Sequence, residues 1–159
     1  MKSIRKIRIR KVKKDDWKYF KIWWKHPALE DLSNDINPKH STDKWLFGSF
    51  TRMISDLKRL DYIVLNEKNI VIGHFNLILY KNYAQFDIKI GEEKYRNKGY
   101  GTLMTKRAIQ IVFRKLKYKK LVLDVKVTNL RAIRVYEKCG FKITRKTKDG
   151  KFYRMVIMI

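Results

Sequence analysis

The spacing of hydrophobic residues changes several times along this chain, and each change marks a predicted element. Ile4, Ile7, Ile9 and Val12 alternate imperfectly among Arg and Lys, which predicts an edge strand with one face buried. Asp15 and Asp16 suit the start of a helix, and Trp17, Phe20, Trp23 and Trp24 then recur at helical spacing as a core stripe. His26-Pro27 stops that helix, because a proline disfavours helical geometry in the residue before it. Ser41-Thr42-Asp43 opens a second helix, with Trp45, Phe47, Met53, Ile54 and Leu57 as its expected apolar positions. From Tyr62 onward the period shortens. Residues 62–65, a turn at 66–69, a strand running through 70–80, a turn at Lys81-Asn82 and a strand over 84–90 read as a three-stranded meander.

Beyond Gly101 the helical period returns at Leu103, Met104, Ala108, Ile111, Val112 and Leu116, and residues 121–127 read as a buried strand. A strand–helix–strand unit of this length implies two parallel strands joined by a right-handed crossover. Asn129 caps a short helix that runs through Glu137 and ends at Gly140. Residues 141–143 and 151–159 form a closing hairpin around Lys148-Asp149-Gly150.

Composition narrows the class. The 159 residues suit a single domain spanning 1–159, and 45% hydrophobic with 13% aromatic residues is too rich for a disordered chain. No apolar run approaches the roughly 20 residues that cross a bilayer, and the basic N-terminus has no uninterrupted apolar segment of the signal-peptide kind. Cys139 is the only cysteine, so neither an internal disulfide nor a zinc site of several cysteines is available. No metal and no membrane partner are expected, and a cytoplasmic location is.

Charge then changes the picture. With 39 basic against 15 acidic residues the chain carries +24, a field that attracts polyanions such as nucleic acid, a ribosome surface or a phosphorylated cofactor. A lysine-heavy proteome or a thermophile's charged surface accounts for it equally well, since the basic residues spread along the whole chain. Against this background Glu30, Asp31 and Asp35 form a local acidic excess. They read as turn and capping chemistry, or as a lip that receives a cation.

Candidate chemistry centres on residues 88–101. A strand ending near Ile88 and Ile90 runs through charged residues into Arg96-Asn97-Lys98-Gly99-Tyr100-Gly101, and a helix follows at once. Such a turn gathers free backbone N–H groups at a helix N-terminus, where they and the helix dipole favour an anion, usually phosphate. Between Lys94 and Leu123 there are ten basic residues and no acidic one.

Two segments together resemble the GNAT superfamily of N-acetyltransferases. Arg96-Asn97-Lys98-Gly99-Tyr100-Gly101 is similar to its R/Q-x-x-G-x-G/A signature, and residues 129–141 resemble its N-x-x-A-x-x-x-Y-E-K-x-G-F segment. Ile88-x-Ile90-Gly91 and Tyr95-Arg96-x-Lys98-Gly99-Tyr100-Gly101 resemble the ribosomal-protein-alanine and spermidine N-acetyltransferase subgroup, with its aminoglycoside relatives. The resemblance implies an α/β (α+β layered) GNAT fold: a mixed, mostly antiparallel sheet of six to seven strands, about four helices, and splayed central parallel strands.

It also implies acetyl-CoA as cosubstrate, with pyrophosphate on the backbone N–H groups from Arg96 through Asn97, Lys98, Gly99, Tyr100 and Gly101 to Thr102. Ile88 and Ile90 would offer main-chain hydrogen bonds to the pantetheine arm, Ile90 N–H would stabilise the oxyanion, and Asn129 would hold the arm from the other side. Tyr136 would donate a proton to the departing thiolate, or else it is a buried tyrosine packing on the sheet. The base that deprotonates the amine stays open among Asp87, Glu92, Glu93, Asp124, His74 or a relayed water. The acceptor is a primary amine, with a protein N-terminus slightly preferred and a polyamine or aminoglycoside as the alternative. Ribosome or RNA association through the basic surface and a homodimer are further expectations. A non-catalytic basic module that binds nucleic acid or the ribosome is the reading from another class.

Overall fold

A computed structural model describes residues 5–26 and 42–159. Strands β1 (Ile7–Lys11), β2 (Arg59–Asn66), β3 (Val71–Leu79), β4 (Ala84–Ile90), β5 (Lys120–Lys126), β6 (Lys142–Lys146) and β7 (Phe152–Met158) form one sheet in the order β1-β2-β3-β4-β5-β7-β6. Among the described residues there are four α-helices: α1 (Trp17–Lys25), α2 (Asp43–Ser55), α3 (Tyr100–Gln110) and α4 (Leu130–Lys138). All strand pairs are antiparallel except β4–β5. Seven strands and four helices fit the expected mixed sheet.

Consecutive residues of β2 show how the sheet is covered. Ile63 packs into a cluster with Phe20, Trp23 and Phe50 from α1 and α2, whereas Val64 joins the larger cluster with Phe75, Phe86, Met104 and Leu123. Because side chains alternate along a strand, these two clusters lie on opposite faces. One helical layer thus covers each face.

Local chemistry sets the connections. The Asn66 side chain accepts hydrogen bonds from the Lys68 and Ile70 amides, both at 3.0 Å, which closes the β2–β3 hairpin. Asn129 Oδ1 accepts from the Ala132 amide at 3.2 Å and starts α4, as its position predicts. Thr42 caps α2 through the Trp45 amide, so the helix begins where Ser41-Thr42-Asp43 indicates.

The rotation of α2 differs from expectation. Leu46 and Phe50 are its fully buried positions, while Trp45, Phe47 and Ile54 stand partly in solvent. Leu57 lies beyond the helix and is 96% exposed. Apolar residues occur on every side of this segment, so spacing alone admits more than one buried stripe. The acidic group Glu30, Asp31 and Asp35 falls outside the described residues.

Candidate active site

β4 and β5 pair as parallel strands only at Ala84–Leu121 and Gln85–Val122. Beyond that register the strands part, as the splayed arrangement requires, and a cleft of about 370 Å³ opens between them. Gly91 N donates to Ile72 O at 3.0 Å, so the backbone of residues 91 and 89 faces β3. The alternation of a strand turns the N–H and C=O of Ile88 and Ile90 the other way, into the cleft.

The cleft ends at the glycine turn. Arg96 N donates to Glu93 O at 2.9 Å, Asn97 takes φ 58°, and Gly99 takes φ 83° as the residue that starts α3. This left-handed conformation is one that glycine adopts without steric cost. The first intrahelical bond runs from Leu103 N to Gly99 O, and no side chain caps the helix. The amides of Tyr100, Gly101 and Thr102 are therefore the open donors of a helix start.

Three features of the turn fit an anionic group with an extended arm. Arg96 Nη2 is buried, lines the cleft and has no hydrogen-bond partner among the described residues. A side-chain carbon at Gly101 would stand 3.8 and 3.9 Å from Ile88 and Ile90, so protein packing tolerates it and the room belongs to the cleft. Asn97 Oδ1 accepts from Arg131 Nη1 at 2.9 Å, which ties α4 to the turn.

Two residues of the turn point elsewhere. Tyr100 is buried and its hydroxyl donates to Glu67 at 3.0 and 3.2 Å, on the side away from the cleft lining. The Lys98 side chain is exposed and its carbonyl accepts from Arg5. Only the backbone of these two residues can take the part expected of them.

Across the cleft, α4 presents Asn129 and Tyr136, both in its wall. Asn129 Oδ1 is committed to the helix cap, and its Nδ2 makes no hydrogen bond among the described residues. The Tyr136 ring packs edge-on against Phe86 and Phe141, with centroids at 6.4 and 5.9 Å. Its hydroxyl makes no hydrogen bond among the described residues. Burial raises the phenol's pKa far above the ordinary range, and the charges of Asp87 and Cys139 add to the effect.

A second cavity of about 290 Å³ lies under α1 and α2, with Phe20, Trp23, Trp24 and Trp45 in its walls. It shares Arg59, Asn76, Asp87 and Lys89 with the cleft, so the two spaces adjoin along this line. The sheet register explains the junction. Asp61 pairs with Asn76 and Asn76 with Asp87, which sets three polar side chains in one row across β2, β3 and β4.

The candidate bases separate cleanly. Glu92 and Glu93 line neither space. Asp124 is held by Arg154 through bonds of 2.9 and 2.7 Å. His74 lines only the second cavity, and its Nε2 shares a 2.8 Å hydrogen bond with Asp61, which also takes Arg59 Nε at 2.9 Å. Asp87 alone of the five lines both spaces. Sequence reasoning missed Asn76 and Arg59. An asparagine between Phe75 and Leu77, in an otherwise apolar strand, was the available signal.

Comparisons with known proteins agree with this geometry. Residues 6–142 match the family described as Acetyltransferase (GNAT) domain. The chain is 32% identical over 125 residues to spermidine N(1)-acetyltransferase of Vibrio cholerae serotype O1, covering 71% of this chain and 70% of that protein. Among solved structures it is similar to a domain from Methanocaldococcus jannaschii, at TM-score 0.84 and 23% identity over 98% of this chain and 99% of that one. It is also similar to spermidine N-acetyltransferase from Vibrio cholerae in complex with CoA and spermine, at TM-score 0.81 and 21% identity over 96% and 95%.

Proposed function

The chain belongs to the GNAT acetyltransferase family, and on that premise we propose that it moves acetyl from acetyl-CoA to a primary amine of a small polyamine. The observation that carries the cofactor half is the cleft between β4 and β5, which ends on an uncapped helix start beside the buried, unpartnered Arg96 Nη2. Acetyl-CoA, when bound, supplies an activated acetyl thioester.

The chain's own residues divide the work. The amides of Tyr100, Gly101 and Thr102 with Arg96 hold the pyrophosphate, as helix N-termini hold anions. Ile88 and Ile90 offer their main-chain groups to the pantetheine arm as a neighbouring strand would, and Asn129 Nδ2 meets it from the other wall. The Ile90 N–H polarises the thioester carbonyl. Asp87 Oδ takes a proton from the incoming ammonium, directly or through water, which frees the nitrogen lone pair. Tyr136 Oη delivers a proton to the departing sulfur. Its raised pKa keeps it protonated through the neutral range, so the proton is in place when needed.

For the acceptor, the spermidine-acetylating relative supports a small polyamine over a protein N-terminus. Asp87 provides a counter-charge where the two spaces meet, and the aromatic wall of the second cavity suits an alkylammonium chain. Calorimetry with acetyl-CoA tests the first half: absence of binding overturns the whole reading. Release of CoA thiol with spermidine, spermine, kanamycin and Ala- or Ser-starting peptides tests the second. Turnover of spermidine or spermine is expected, and turnover of the peptides alone would return the acceptor to a protein N-terminus.

A further inference from the structure

We propose that Asn76 orients the acceptor amine, its carboxamide oxygen accepting a hydrogen bond from an amine N–H at the junction of the two cavities. Asn76 is 4% exposed, and its Oδ1 is buried with no hydrogen-bond partner among the described residues. In this orientation the amide nitrogen makes no hydrogen bond among the described residues either. A buried acceptor left unmade is unfavourable in a folded protein, and such groups cluster where a ligand completes them.

Its position selects the ligand. Asn76 lines both the cleft and the second cavity, and the register sets it directly beside Asp87 on β4. A neutral carbonyl beside a carboxylate makes a two-point receptor for a primary ammonium. When Asp87 removes one proton, the bond to Asn76 keeps hold of a second N–H, and the lone pair is then constrained in direction as it forms. Orientation of this kind contributes to rate by fixing the reacting geometry.

The assignment rests on the amine-acetylating reading above, and the test separates the two. Asn76→Leu keeps the heavy-atom count and branching and removes both polar ends. In the full chain it is expected to lower kcat/KM for the best amine of the panel by ~10- to 100-fold, the value of one hydrogen bond to a charged group. The acetyl-CoA dissociation constant is expected to stay unchanged, and the melting temperature to rise by a few degrees because an unsatisfied buried acceptor is gone. Asn76→Ala is the second variant, expected to show the same kinetic loss and the same acetyl-CoA affinity. Unchanged kcat/KM in either variant overturns the assignment, as does a parallel loss of acetyl-CoA affinity, which would mark a structural role. Wild-type protein that binds acetyl-CoA and acetylates no amine overturns the acceptor reading and this assignment together.

Discussion

Tyr136→Phe separates chemistry from packing at one atom. The ring keeps its edge contacts with Phe86 and Phe141, and the hydroxyl that is lost has no hydrogen-bond partner among the described residues. Folding stability at neutral pH should therefore change by no more than ~0.5 kcal/mol. General acid catalysis is worth typically ~10²- to 10⁴-fold. Because burial, with Asp87 and Cys139, raises the phenol's pKa, the proton is given up reluctantly and the lower end applies. We expect kcat to fall ~10²-fold, about 2.7 kcal/mol in barrier, with the acetyl-CoA dissociation constant unchanged. Stopped-time thiol release and calorimetry on the same preparation measure both.

The same group carries a stability signature. Its folded pKa lies above the unfolded value of ~10, so its contribution is complete below pH ~10. Above that, the unfolded chain ionises while the folded one holds its proton, and stability declines with rising pH. Tyr136→Phe should therefore decline less steeply than wild type in alkaline denaturation. A kcat within about threefold of wild type, or parallel losses in kcat and acetyl-CoA affinity, would refute the role in proton delivery.

Two further predictions concern what holds the site. Burial works to raise the Asp61 carboxyl, but its hydrogen bond with His74 and the Arg59 guanidinium outweigh this and hold it below the ordinary carboxylate range. Its stabilisation is thus present above pH ~4 and lost as pH falls through the folded value. Asp61→Asn should lower stability at pH 7 by ~3 kcal/mol and flatten the acid limb of a pH–melting curve; an unchanged acid limb would place the acid-sensitive group elsewhere. At Gly73 an added side-chain carbon would run into the Lys89 carbonyl oxygen and come within 3.1 Å of Ile90 Cα. Gly73→Ala should cost at least ~2 kcal/mol and weaken acetyl-CoA binding by displacing Ile90, and a native melting temperature would contradict the close approach.

The half of the candidate site built from contiguous sequence is legible in the sequence itself. Strand, glycine turn and helix lie within one short stretch, so Ile88, Ile90, Gly99, Gly101 and Thr102 needed only local geometry to be brought together. Asn129 and Tyr136 come together through the resemblance of residues 129–141 to the family's segment, which sets them about two turns apart along one helix. Asn76, Arg59 and Asp61 were not legible, because they meet Asp87 only through the register of β2, β3 and β4. That register follows from hairpin geometry rather than from residue type. The phase of α2 was hidden for a different reason. Trp45, Leu46 and Phe47 are consecutive apolar residues, and which of them faces inward is decided by packing against α1 and β2.

The brief pairing of β4 with β5 has a mechanical meaning. Joined over two residue pairs, the sheet is two plates held by a short seam, β1 to β4 on one side and β5 to β7 on the other. Anything that bridges the open part with donors and acceptors of its own stitches the plates together. The cosubstrate would then act as a removable strand that stiffens the molecule only while it is seated. Protection of the Ile88 and Ile90 amides from hydrogen exchange would report that stitching directly, rising and falling with occupancy.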